Sequence, residues 1–181
     1  MRVLGAILAG GQARRFGSNK ALALHRGEPL IAHAARALGR QVSAVVVCGG
    51  VGLLPELPQL ADRPAPGLGP LGGLAAALFH ARAEGCDGVV SVGCDTPVLP
   101  GDLVRQLQAS GGPAYLESMP LIGWWPSALS PALDAFVVED ARRSLRGWGT
   151  AAGARRIAIA ERIANINTPA DLAALEAPAI G

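Results

Sequence analysis

Three apolar runs set the terms for any fold of this chain: "RVLGAILA" at 2–9, "AVVVCGG" at 44–50, and the start of "GVVSVGCDTPVLP" at 88–100. Each run is nearly continuous rather than alternating, so each is predicted to be a strand buried on both faces. Helical segments follow them. One is predicted from Pro29 to about Leu38, with Pro29 in its first turn. A second runs from about Leu71 to Ala83, after a Gly- and Pro-rich stretch at 51–73, and a third covers 101–110 with Asp102 near its start. Strands that alternate with helices in this way build a mostly parallel central sheet covered on both sides, a three-layer α/β/α architecture. Right-handed crossovers then bring the loops after the strands to one edge of the sheet. The loop after the first strand and the turn Cys94-Asp95-Thr96 are therefore expected on the same edge.

The last third is less regular. "PAYLE" and "PLIGWWP" within 113–126 read as paired strands, and "SALSPALDAFVVEDARRSL" as helical. "RRIAIAE" (155–161) alternates like a strand. "TPADLAALE" (168–176) reads as a capped helix with Thr168 at the N-cap, Pro169 at N1 and Asp171 at N3. No repeat, linker or shift of composition divides the chain, so residues 1–181 are expected to form a single domain.

The 181 residues carry a net charge of only +2, with 17 % charged residues. That balance argues against a dense basic face for nucleic acid. No stretch approaches the roughly 20 uninterrupted apolar residues of a membrane span, and the start of the chain lacks a signal peptide's layout. The three cysteines, Cys48, Cys86 and Cys94, are scattered and lack CxxC spacing. They are expected as free thiols in a reducing cytoplasm.

The basic residues gather instead in "LAGGQARRFGSNK" (8–20). Gly10 and Gly11 allow a ligand close to the backbone, and clustered N–H groups make an anion-binding concavity. Arg15 and Lys20 can neutralise phosphate from the same loop. The spacing matches neither GxxxxGK[ST], since Ala21 follows Lys20, nor GxGxxG. By itself the loop is consistent with phosphate binding or with an ordinary strand–helix turn. Asp95 adds weight to the first alternative. It ends an apolar run at the same edge, where a carboxylate can hold Mg²⁺ that also takes substrate phosphate oxygens. Its other reading is a helix cap, a place that Asp102 can fill.

These motifs together resemble the molybdenum cofactor guanylyltransferases. "LAGGQARRFGSNK" resembles their nucleotide loop, "GLGPLGGLAAAL" a second glycine-rich segment, and "CDTPVLP" their metal-binding strand end. "PLIGWWP" is similar to a substrate-side strand, and "NINTPADL" (165–172) to their C-terminal motif. The matches fall in family order over nearly the whole chain. The resemblance implies a Rossmann-like, nucleotide-diphospho-sugar-transferase-like fold and transfer of GMP from GTP to molybdenum-molybdopterin, with release of pyrophosphate. It implies that Leu8, Ala9, Gly10 and Gly11 meet the nucleotide, that Arg15 and Lys20 hold its phosphates, and that Asp62 is a second nucleotide contact. Asp95 would bind Mg²⁺, and Asn165 and Asn167 would lie near the pterin. A nucleotide-binding half of about 1–100 and a pterin half of about 101–181 follow. So do a cytoplasmic location, molybdoenzyme chaperones or other cofactor-biosynthesis proteins as partners, and no role for nucleic acid or membrane.

The attacking group in such a reaction is already a phosphate oxygen. Positioning and charge neutralisation then suffice, and His25, His33 and His80 are expected to be structural or surface residues. Arg142 and Arg143, with Arg146 nearby, read either as a solvated helix face or as a second anion site. Two positions depart from the family pattern: Asn19 stands where an Asp is usual, and Gly49-Gly50 where an Asn is common. A cytidylyl or sugar-phosphate nucleotidyltransferase of the same fold, and a non-catalytic nucleotide- or cofactor-binding homologue, are the alternatives.

Overall fold

The computed structural model describes residues 1–9, 20–50, 52–139 and 144–176. β1 (Val3–Leu8) is buried at every position. A 3₁₀ turn at Lys20–Leu22 leads to a small hairpin, β2 (Leu24–His25) and β3 (Glu28–Pro29). Its two-residue loop, Arg26-Gly27, has positive φ at both positions (51° and 82°), as a tight primed turn requires. α1 (Leu30–Gly39), β4 (Ala44–Cys48), β5 (Gln59–Leu60), α2 (Gly69–Ala83) and β6 (Gly88–Gly93) follow. The remainder holds α3 (Leu103–Gln108), β7 (Ala114–Leu116), β8 (Gly123–Pro126), α4 (Ser130–Glu139), α5 (Leu145–Ala151), β9 (Arg155–Ile157) and α6 (Pro169–Glu176).

Seven strands form one sheet in the order β5-β4-β1-β6-β8-β7-β9. β1, β4, β5 and β6 are mutually parallel, β8 runs against both β6 and β7, and β9 is parallel to β7. Only β8 is reversed, so the expected mostly parallel sheet is present. The period-2 alternation of β1 sorts the core. Leu4, Ala6 and Leu8 pack with Leu71, Leu74 and Leu78 of α2, and with Leu133 of α4 and Trp148 of α5. Val3 and Ile7 pack with Ile31 and Leu38 of α1 and with Leu103 and Leu107 of α3. Helices therefore cover both faces. Gly5 is where α1 comes closest, because a Cβ there would press on the Leu38 side chain at 2.7 Å.

The boundaries differ from expectation at several points, each for a local reason. Pro29 ends the hairpin with extended ψ (143°) and caps α1 from outside. The third strand stops at Gly93, a turn follows at 94–95, and residues 96–100 continue without helix or strand. Asp102 precedes α3, but its side chain makes no cap bond. Its carboxylate takes the Arg105 guanidinium and the Gln106 amide, both at 2.7 Å, and Arg105 holds it below the usual carboxylate range. β5, hidden in the Gly- and Pro-rich stretch, adds a strand the sequence did not suggest. The helix foreseen over 127–145 is a 3₁₀ turn (Ser127–Leu129) plus α4, and α5 begins separately, capped by Ser144 Oγ accepting from Gly147 N–H at 3.0 Å. Only 155–157 of the final alternating run pairs as a strand. Arg142 and Arg143 lie outside the described residues.

His25 is buried. Its carbonyl is 2.8 Å from the His33 ring nitrogen, and the two rings lie 5.0 Å apart. Both histidines therefore build the hairpin–α1 junction, the structural role expected of them.

Candidate active site at the carboxyl edge of the sheet

The carboxyl ends of the parallel strands meet at one edge, where doubly wound sheets bind ligands. Backbone hydrogen bonds lock them together. Ala9 N–H donates to Cys48 O (2.8 Å), Cys94 N–H to Leu8 O (3.3 Å), and Gly49 N–H to Leu60 O (3.2 Å). Leu8 is buried beneath this edge and Ala9 is half-buried on it. Gly10, Gly11, Arg15 and Asn19, which follow Ala9 in the sequence, lie outside the described residues. Lys20 opens the 3₁₀ turn that follows.

Asp95 lies two residues past β6, half-buried. Its Oδ1 accepts from the Thr96 hydroxyl at 3.3 Å and rests over Gly93, in space a Cβ there would occupy. The absent side chain of Gly93 is what lets this carboxylate lie against the strand end. Among the described residues no group of three or more His, Cys, Asp or Glu could enclose a metal. A site with few protein carboxylates is the kind that Mg²⁺ accepts, since it keeps few protein ligands and completes its shell with substrate oxygens and water.

Asp62 follows β5 at the same edge. Arg63 holds the adjoining backbone. Its N–H donates to Gly72 O (3.1 Å), and its guanidinium bonds Asp134 of α4 (3.2 Å) and lies 3.8 Å from the Phe79 ring centroid. Gly72 and Gly73, in α2, are packed against Asp62: Cβ atoms there would come to 3.0 Å of Asp62 Cβ and 3.8 Å of its Oδ1. Asp62 Oδ1 is buried without a hydrogen-bond partner among the described residues. A buried oxygen is costly unless a donor reaches it. The neighbouring Cys48 thiol is pushed up to about 12, first by burial and then by the Asp62 charge, so it is inert at neutral pH.

The chain returns to this edge at its C-terminal end. After β9, residues 158–168 cross without helix or strand, and Ile166 N–H donates to the Asp95 carbonyl at 3.0 Å. Ile166 is buried, and Asn165 and Asn167 on either side are exposed. Between this crossing segment, the end of β7 and α6 lies a cleft of about 810 Å³, whose lining includes Leu116, Ser118, Arg162, Asn165 and Asp171. Arg146 flanks it, donating to Glu117 O at 2.7 Å.

Leu8, Ala9, Asp62, Asp95, Asn165 and Asn167 thus converge on one edge, although they span most of the chain. A family model described as the MobA-like NTP transferase domain matches residues 5–159. The chain belongs to this family. It is 42 % identical over 186 residues to the molybdenum cofactor guanylyltransferase of Rhodobacter capsulatus, covering 97 % of this chain and 96 % of that one. Its fold is similar to molybdopterin-guanine dinucleotide biosynthesis protein A from Archaeoglobus fulgidus (TM-score 0.71, 18 % identity, 97 % of each chain). It is also similar to Rv0371c from Mycobacterium tuberculosis, solved as a manganese complex (TM-score 0.58, 15 % identity, 97 % of this chain and 98 % of that one). The family's nucleotidyltransferase fold is therefore the fold of this chain.

Sequence reasoning passed over three features of the site: Gly93, the cleft residues Ser118 and Arg162, and the reach of Asp171 beyond its helix. Ser118 and Arg162 carry no motif signal because they meet only across the cleft, whereas Gly93 and Asp171 act on neighbours within their own segments.

Proposed function

We propose that this chain is a molybdenum cofactor guanylyltransferase, joining GMP from GTP to molybdenum-molybdopterin and releasing pyrophosphate. The observation that carries the reading is the hydrogen bond from Ile166 N–H to the Asp95 carbonyl. It sets the Asn165–Asn167 turn directly against the strand end bearing the metal-type carboxylate. A nucleotide on the strand edge and a second substrate on the crossing segment would then be neighbours. Residues up to about 100 serve the nucleotide, and those from about 101 onward serve the pterin.

A terminal phosphate oxygen of the pterin attacks the α-phosphorus of GTP. The new O–P bond forms as the bond to the β-phosphate oxygen breaks, and pyrophosphate departs with that electron pair. The nucleophile needs no deprotonation by the protein, so the chain's work is placement and charge balance. Backbone groups at Leu8, Ala9, Gly10 and Gly11 receive the nucleotide. Arg15 and Lys20 offset the negative charge of the triphosphate. Asp62 offers Oδ1, without a partner among the described residues, to a nucleotide donor. Asp95 would hold Mg²⁺, which when bound offsets charge on the phosphates. Asn165 and Asn167 orient the pterin side. No helix among the described residues is long and apolar enough to cross a membrane. A cytoplasmic setting, with hand-over of the product to molybdoenzyme chaperones, suits the reading.

Pyrophosphate release tests it, measured with GTP or CTP, with and without molybdopterin. Release is expected with GTP and only when molybdopterin is present. Equal or faster turnover with CTP would reassign the nucleotide, and nucleotide binding without any release would make the chain a carrier.

A further inference from the structure

We propose that Asp171 is a positioning residue for the second substrate, holding the Asn165–Ile166–Asn167 turn in register with Asp95. The proposal rests on the reading that Asn165 and Asn167 serve the pterin. Residues 158–168 lie outside helix and strand, so no ladder of backbone bonds fixes them. Specific bonds must do so. On one flank the Ile166 N–H is tied to the Asp95 carbonyl, with the Ile166 side chain 1 % exposed beneath it. On the other flank Asp171 Oδ2 accepts from both Asn167 N–H and Thr168 N–H, each at 2.8 Å.

The second of these bonds is ordinary capping. Thr168 Oγ1 accepts from Asp171 N–H at 3.2 Å, and the Asp171 carboxylate reaches back to the Thr168 N–H, the reciprocal box of a helix start. The bond to Asn167 goes one residue further than α6 requires. It does nothing for the helix and everything for the turn, because it fixes the peptide that carries Asn167. Asp171 also lines the same cleft as Asn165. One carboxylate oxygen thus couples the helix start to the pterin turn, which the Ile166–Asp95 bond couples to the metal-type strand end. Without Asp171 the Asn167 N–H loses this acceptor, and the segment loses the bond that holds it on this flank.

The test uses the full chain, with pyrophosphate release followed while GTP and molybdopterin are varied separately. Asp171→Ala should lower kcat/KM for molybdopterin by about 10- to 100-fold, the range expected for misplacing a reacting group by up to an ångström. KM for GTP should stay at the parental value. Asp171→Asn, whose carbonyl oxygen can still accept both N–H groups, should restore most of the loss. A merely structural role predicts something else: a lower melting temperature with both substrates affected alike. That pattern, an Asp171→Ala enzyme with parental use of molybdopterin, or an Asp171→Asn enzyme as impaired as Asp171→Ala would each overturn the proposal. Asn167→Ala separates the two levels of the argument. If it impairs molybdopterin use while Asp171→Ala does not, the positioning role falls and the pterin turn stands. If both variants leave molybdopterin use unchanged, the pterin assignment falls with it.

Discussion

Replacing Gly93 by Ala should disarm the site while leaving the fold nearly intact. A Cβ at this position would sit 2.3 Å from Asp95 Oδ1, while the other near atoms, Asp95 Cγ and Thr96 Oγ1, are at an ordinary 3.4 Å. To reach that same 3.4 Å the carboxylate oxygen must retreat by about 1 Å, a displacement that can cost roughly 100-fold in rate, or about 2.7 kcal/mol. The folding cost is smaller. Only the carboxylate of one side chain has to yield, at about 0.5–1.5 kcal/mol for a strained rotamer, partly offset by about 0.4–1 kcal/mol from the reduced freedom of the unfolded chain. The assay is pyrophosphate release against Mg²⁺ concentration, beside a thermal melt of the same preparation. The expected result is a large fall in turnover and a raised Mg²⁺ requirement at a melting temperature close to the parent's. Parental turnover with an unchanged Mg²⁺ requirement would refute the argument that Gly93 exists to seat Asp95.

Asp95→Asn removes the metal-type charge but keeps size and capping ability, so turnover should fall by about 100-fold or more, and a near-parental rate at saturating Mg²⁺ would return Asp95 to a capping role. Ser91→Ala strands one buried and one part-buried group, because Ser91 Oγ accepts from Trp125 Nε1–H (3.0 Å) and donates to Leu121 O (2.8 Å). Stability should drop by about 1–3 kcal/mol, a melting shift of roughly 2–12 °C, and an unchanged melt would show those partners to be satisfied otherwise. Cys48, with its thiol pushed up to about 12 from an ordinary 9.0, should resist alkylation at neutral pH. The unfolded chain ionises first, so this residue's contribution is complete below about pH 9 and is lost as pH rises towards about 12. Urea midpoints across that window, compared with those of Cys48→Ala, measure it, and parallel curves would exclude the linkage.

How far the sequence could be read follows from what each feature depends on. β1, β4 and β6 were legible because burial on both faces writes itself as an unbroken apolar run, a property of the strand alone. β5 was not, since two residues, Gln59 and Leu60, carry no period, and only the neighbouring β4 makes them a strand. The same distinction governs the helix starts. Thr168, Pro169 and Asp171 act within one turn and matched expectation. Asp102 did not cap α3, because Arg105 and Gln106 on its own helix claimed the carboxylate first. At the site, Asp95 could be placed from sequence because it follows a legible strand in a parallel sheet, whose topology decides where strand ends go. The buried oxygen of Asp62, without a partner among the described residues, could not be foreseen, for its burial exists only once Gly72 and Gly73 bring α2 against it. The link between Asp95 and Ile166 joins residues 71 positions apart through a backbone bond that any side chain would permit. Side-chain motifs therefore mark the two sides of the proposed site, and backbone geometry, silent in the sequence, joins Asp95 to Ile166.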